Sequence, residues 1–146
     1  MEESMSFLRA VKETFGCSGG DLRIYSPLTL AFVGDCVYDL IVRTVLVERA
    51  NEAPNKLHKK KSEIVKAAAQ AAQIESILTE LTEEELAVYK RGRNAHSHTA
   101  AKNASIADYR KATGLEALYG YLYLAERTDR LLYLAKKSLE LTGTAL

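Results

Sequence analysis

Tryptophan is absent from this chain, and cysteine, proline and methionine occur only twice each among 146 residues. Two cysteines, Cys17 and Cys36, cannot build the disulfide framework on which small secreted scaffolds depend. Cys36 falls inside an apolar stretch, where a reduced core thiol is expected. Two prolines and eight glycines leave little material for tight turns. Ala, Leu, Glu and Lys are abundant, no alternating strand pattern is convincing, and the expected class is all-α. Long uninterrupted apolar runs are also missing: residues 28–47 carry Asp35, Asp39 and Arg43, which argues against a membrane span. The opening Met1-Glu2-Glu3 is acidic and unlike a secretory signal, so the chain reads as soluble and cytoplasmic. No phosphate-cradling glycine loop, nucleophile elbow or CxxC pair is present.

What is present reads as one helical domain of six or seven helices over residues 1–146, without repeats or linkers. An amphipathic helix is expected near residues 4–15, with Phe7, Leu8, Val11 and Phe15 on one face. Ser26-Pro27 pairs a capping hydroxyl with a proline at the first helical position and opens a helix to about Arg49. Pro54 opens a basic, then alanine-rich helix expected to run unbroken to about Ile77. Thr82 and Glu85 have the spacing of a capping box, and that helix should end at Gly92. A polar loop over residues 93–104 follows. Ser105 and Asp108 open the next helix, and Thr128 caps a last one to about Leu141.

Two acids stand out. Asp35 lies in Phe32-Val33-Gly34-Asp35-Cys36-Val37-Tyr38, and Glu116 in Leu115-Glu116-Ala117-Leu118-Tyr119-Gly120. An unpartnered carboxylate in such apolar surroundings costs several kcal/mol, roughly. Each acid is flanked by small residues that let helices approach closely. Convergence of the pair would suit a hard cation such as Mg²⁺. The competing reading pairs each acid with a basic residue from elsewhere and gives it a packing role only. Ala31, Asp35 and Asp39 share a stripe at spacing four, so Asp39 is a candidate to support Asp35 from behind or to reach the metal through water. His96-Ser97-His98 lacks zinc-ligand companions at suitable spacing and reads as polar loop.

Net charge is only +1, so its distribution must be read instead. Lys59, Lys60 and Lys61 crowd one helix, and residues 90–111 carry a net +5, with Asp108 their only acid. Acids gather elsewhere, at Glu75, Glu80 and residues 83–85. Such segregation suits a phosphate backbone held over one surface.

At this point the motifs resemble the ribonuclease III catalytic-domain family, in its small Mini-ribonuclease III branch. The resemblance rests on Phe32-Val33-Gly34-Asp35-Cys36-Val37-Tyr38-Asp39, Lys90-Arg91-Gly92-Arg93-Asn94-Ala95 and Tyr109-Arg110-Lys111-Ala112-Thr113-Gly114-Leu115-Glu116, in order, with Asn55-Lys56-Leu57-His58 in addition. It spans residues 26–126. It implies a homodimeric, Mg²⁺-dependent endoribonuclease acting on double-stranded RNA and leaving 5′-phosphate and 3′-hydroxyl ends. The branch is associated with maturing the ends of 23S ribosomal RNA precursors, which leaves room for an accessory ribosomal protein as partner. Carried over, Asp35 and Glu116 are the catalytic, metal-holding carboxylates, and Phe32 matches an aromatic buried across the dimer interface. Two further acids of full-length ribonuclease III fall here on Ala31 and Thr113, as in the pared-down branch, and the metal count stays open. The small branch is expected to lack an appended double-stranded-RNA-binding domain, so Arg91, Arg93, Asn94, Lys102, Asn103 and Arg110, with Lys59, Lys60 and Lys61 outside them, are the expected RNA contacts. The alternative is a non-catalytic RNA-binding module of the same fold in a ribosomal particle.

Overall fold

A computed structural model of the chain describes residues 6–95 and 105–146. Seven α-helices appear there: α1 (Phe7–Phe15), α2 (Pro27–Arg49), α3 (Pro54–Val65), α4 (Ala67–Ile77), α5 (Glu83–Asn94), α6 (Ile106–Leu124) and α7 (Thr128–Leu141). Two 3-10 turns, Leu22–Ile24 and Leu78–Glu80, complete the elements. No strand occurs among the described residues, as the composition implies.

The helix starts follow local chemistry. Ser26 Oγ accepts from the Thr29 amide at 3.1 Å, ahead of Pro27. The capping box closes in both directions: the Glu85 amide donates to Thr82 Oγ1 at 3.1 Å, and the Thr82 amide to Glu85 Oε1 at 2.9 Å. Ser105 Oγ accepts from the Asp108 amide at 3.0 Å and opens α6. Thr128 differs from expectation, being the first helical residue of α7 with no side-chain cap before it.

Two other boundaries differ more. The single helix expected from Pro54 to Ile77 is two helices, because Lys66 adopts an extended backbone (φ −62°, ψ 156°). Helix α5 runs past Gly92 to Asn94. Gly92 serves close packing rather than termination, since a Cβ there would lie 2.8 Å from Ala117 Cβ and 2.9 Å from Gly114 Cα.

Helix α6 is the axis around which the others assemble. From Ala112 onward it is apolar nearly all round, the pattern of a helix buried on every side, and Leu115, Leu118, Tyr119 and Leu122 are fully buried. Each of those leucines contributes about 1.5–3 kcal/mol on leaving water. Helices α2, α4, α5 and α7 all pack against it. Helix α2 presents an inward stripe of Leu30, Gly34, Tyr38, Val42 and Leu46. Its opposite stripe, Phe32, Cys36 and Leu40, is exposed. Cys36 is therefore not the core thiol that its apolar neighbours suggest. Across the core, Arg130 donates to both oxygens of the buried Glu85, at 2.8 and 2.9 Å, tying α7 to the start of α5.

Candidate active site

The crossing of α2 and α6 is made by backbone touching backbone. A Cβ on Gly34 would overlap the Glu116 carbonyl oxygen, and a Cβ on Gly120 would overlap that of Leu30 and lie 3.0 Å from the Gly34 amide nitrogen. Only glycine at both positions permits this approach. Asp35 follows Gly34 directly, and Glu116 lies one turn before Gly120, so the contact carries both acids to the same place.

Their electrostatics record the meeting. The Glu116 carboxyl is pushed up to about 8, first by burial, then by the negative charge of Asp35 and a hydrogen bond with it. The Gln70 amide opposes this, its Nε2 donating to Glu116 Oε2 at 3.4 Å. Among the described residues neither Asp35 nor Glu116 is in an ion pair. The pair is thus not locked to separate guanidinium groups, the arrangement a purely structural role would require.

Asp39 is placed otherwise. It accepts from Arg43 Nε at 2.5 Å and faces Lys61 Nζ at 3.4 Å, so its charge is already matched by two cations. No group of three or more His, Cys, Asp or Glu suited to a metal occurs among the described residues. Ala31 is buried, and Thr113 Oγ1 donates to the Tyr109 carbonyl at 3.0 Å. Asp35 is exposed, not buried as its apolar neighbours suggest, and Glu116 is half-buried beside it. Two adjoining carboxyl groups with no basic partner among the described residues fit a divalent ion. Mg²⁺ in particular is commonly held by one or two carboxylates, with water and substrate phosphates completing its shell.

The expected RNA contacts separate into groups. Arg91, Asn94 and Arg110 are exposed. Arg93 lies over the Tyr89 ring at 5.6 Å and donates to Asn94 Oδ1 at 3.3 Å. Lys59 is exposed, whereas Lys60 pairs with Glu52 and Lys61 with Asp39. Lys102, Asn103 and the His96-Ser97-His98 run lie outside the described residues. A groove of about 1140 Å³ runs past Asp35, Asp39 and Lys61 to Phe32 and Phe7. The two phenyl rings are 80% and 73% exposed.

Sequence reasoning missed Gln70. Its signal was a polar side chain in the otherwise apolar run Ala67-Ala68-Ala69-Gln70-Ala71-Ala72, repeated one turn on by Gln73.

Comparison with known proteins identifies the family. Residues 28–127 match the ribonuclease III domain family. The chain belongs to that family. Among relatives, the Mini-ribonuclease 3 of Clostridium tetani is 51% identical over 112 residues, 76% of this chain and 74% of that protein. The Mini-ribonuclease 3 of Staphylococcus aureus is 44% identical over 118 residues, 80% of this chain and 88% of that protein. A crystal structure of a Fusobacterium nucleatum protein superposes with a TM-score of 0.75 at 28% identity, covering 84% of this chain and 98% of the other. The ribonuclease III match takes in Asp35 and Glu116 and the glycines that join them. No helix among the described residues is long and apolar enough to cross a membrane.

Proposed function

We propose that this ribonuclease III family member is a divalent-metal-dependent endoribonuclease cutting double-stranded RNA, with Asp35 and Glu116 as its catalytic carboxylates. The observation carrying this reading is the meeting of those two acids at the Gly34–Gly120 contact, one of them largely desolvated and neither paired with a base among the described residues. The relatives named Mini-ribonuclease 3 support the ribonuclease activity. Mg²⁺ is the proposed ion, held by Asp35 and Glu116, while Asp39, one turn beyond Asp35, stays paired with Arg43 and Lys61. Bound there, the cation would supply Lewis acidity to the scissile phosphate and acidity to the attacking water.

The residues of the chain do the rest. Asp35 and Glu116 must both be ionised to hold the cation, so Glu116 gives up its proton on loading. Arg91, Arg93, Asn94 and Arg110, with Lys102, Asn103 and Lys59 to Lys61, bind the duplex through phosphates and 2′-hydroxyls across the wide minor groove. The exposed Phe32 stripe of α2 forms the homodimer interface, which gives two sites, one for each RNA strand. Residues 1–146 act as one catalytic domain in the cytoplasm. The product ends are 5′-phosphate and 3′-hydroxyl. The proposed substrate, resting on resemblance to the small branch, is the 23S ribosomal RNA precursor, with an accessory ribosomal protein as partner.

The test incubates duplex RNA with the wild-type protein in Mg²⁺ or EDTA, beside Asp35→Asn and Glu116→Gln. Cleavage by wild type in Mg²⁺ alone, and loss of cleavage with retained duplex binding in both variants, is the expected result. Robust cutting by Asp35→Asn would end its proposed role.

A further inference from the structure

The break between α3 and α4 sets a buried amide against Glu116. Because Lys66 leaves helical geometry, the carbonyls of Ile64 and Val65 are taken up by side chains instead of backbone amides. Gln73 Nε2 donates to the Ile64 carbonyl at 2.8 Å, while its Oε1 accepts from the Tyr38 hydroxyl at 2.5 Å. Gln70, 3% exposed, donates from Nε2 to the Val65 carbonyl at 2.7 Å. A carbonyl can only accept, so this contact fixes which end of the Gln70 amide is the nitrogen. The second N–H of that nitrogen is left for Glu116 Oε2, at 3.4 Å. Gln70 Oε1 is buried and has no partner among the described residues. Buried acceptors are seldom left unpaired in a folded protein, and an exception beside a functional carboxylate needs a reason.

We infer that Gln70 is a positioning residue for the divalent-cation site: anchored by the Val65 carbonyl, it orients the Glu116 carboxylate and sets the affinity of the site for the cation. The inference rests on the reading of Asp35 and Glu116 as metal-holding groups. Gln70 touches neither substrate nor the reacting atoms. Its neighbour Gln73 provides a matched control, since it caps the same helix break from an equally buried position, with Tyr38 rather than Glu116 as its other partner.

The experiment measures Mn²⁺ binding by calorimetry on the full chain without RNA, for wild type, Gln70→Met, Gln70→Asn and Gln73→Met. Thermal melting is recorded alongside, and duplex cleavage is resolved into kcat and KM. Loss of an outer partner of a metal ligand typically weakens metal affinity about 10–100-fold. Gln70→Met is expected to weaken Mn²⁺ binding by at least about tenfold and to lower kcat with KM for RNA unchanged. Gln73→Met should lower the melting temperature yet bind Mn²⁺ within about twofold of wild type, against that tenfold loss. Gln70→Asn keeps the amide but falls one methylene short, so it folds and binds Mn²⁺ weakly. Equal weakening by the Gln70 and Gln73 variants, wild-type affinity in Gln70→Asn, or failure of both Gln70 variants to fold overturns the inference alone. Failure of the wild-type chain to bind Mn²⁺ overturns the site itself and the inference with it.

Discussion

Freed of divalent cations, the protein should lose stability as pH rises from 5 to 8. The cause is Glu116, whose carboxyl is raised in the folded state from 4.5 to about 8 by burial and by Asp35. In the unfolded chain the same group releases its proton near 4.5. Between those values the unfolded state binds fewer protons, so stability falls with rising pH. The contribution is fully present below 4.5 and gone above about 8. At about 1.4 kcal/mol per unit, the shift is worth at most about 5 kcal/mol, a large share of the total stability of a domain this size. Urea unfolding in EDTA at several pH values measures it. Glu116→Gln supplies the reference, because its neutral amide does not titrate while every other group is retained. Wild type should lose several kcal/mol, roughly, relative to that variant across the window. Saturating Mg²⁺ or Mn²⁺ should abolish or reverse the loss, since only the ionised carboxylate holds the cation. Parallel pH profiles for wild type and Glu116→Gln in EDTA would refute the reasoning.

Two further substitutions test the frame that holds the site. Gly34→Ala forces a methyl into the Glu116 carbonyl and drives α2 from α6. It should cost about 3 kcal/mol or more, the upper range for overpacking, and should abolish cleavage at temperatures where the variant remains folded; unchanged melting and activity would contradict the backbone contact. Arg130→Met strands the Glu85 carboxylate, which is 1% exposed. Its expected cost is about 3–5 kcal/mol in urea unfolding, as for a broken buried pair, with part regained in Glu85→Met/Arg130→Met.

The residues that specify helix starts act locally, and for that reason they were readable. Ser26-Pro27, the Thr82–Glu85 box and Ser105 each need only their own next turn. The break at Lys66 carries no such mark. Its alanine-rich surroundings favour continuity, and the interruption is stabilised by Gln70 and Gln73 through partners on α2 and α6. Helix α2 shows a second limit. Both of its faces are apolar, so the pattern alone could not say that Tyr38 turns inward while Cys36 turns out; only the family resemblance set Phe32 on an outward face. Asp35 and Glu116 were legible because each breaks an apolar pattern in a small-residue setting. The engagement of Asp39 was half legible: Arg43 stands one turn away, but Lys61 arrives from another helix. Gln70 became visible only with Glu116 beside it.

Anomalous scattering from crystals soaked in Mn²⁺ tests the central claim most directly. The account predicts a peak bonded to one oxygen each of Asp35 and Glu116, and its loss in Asp35→Asn. A cleaving enzyme that binds Mn²⁺ elsewhere, with this pair of carboxylates metal-free, would contradict it.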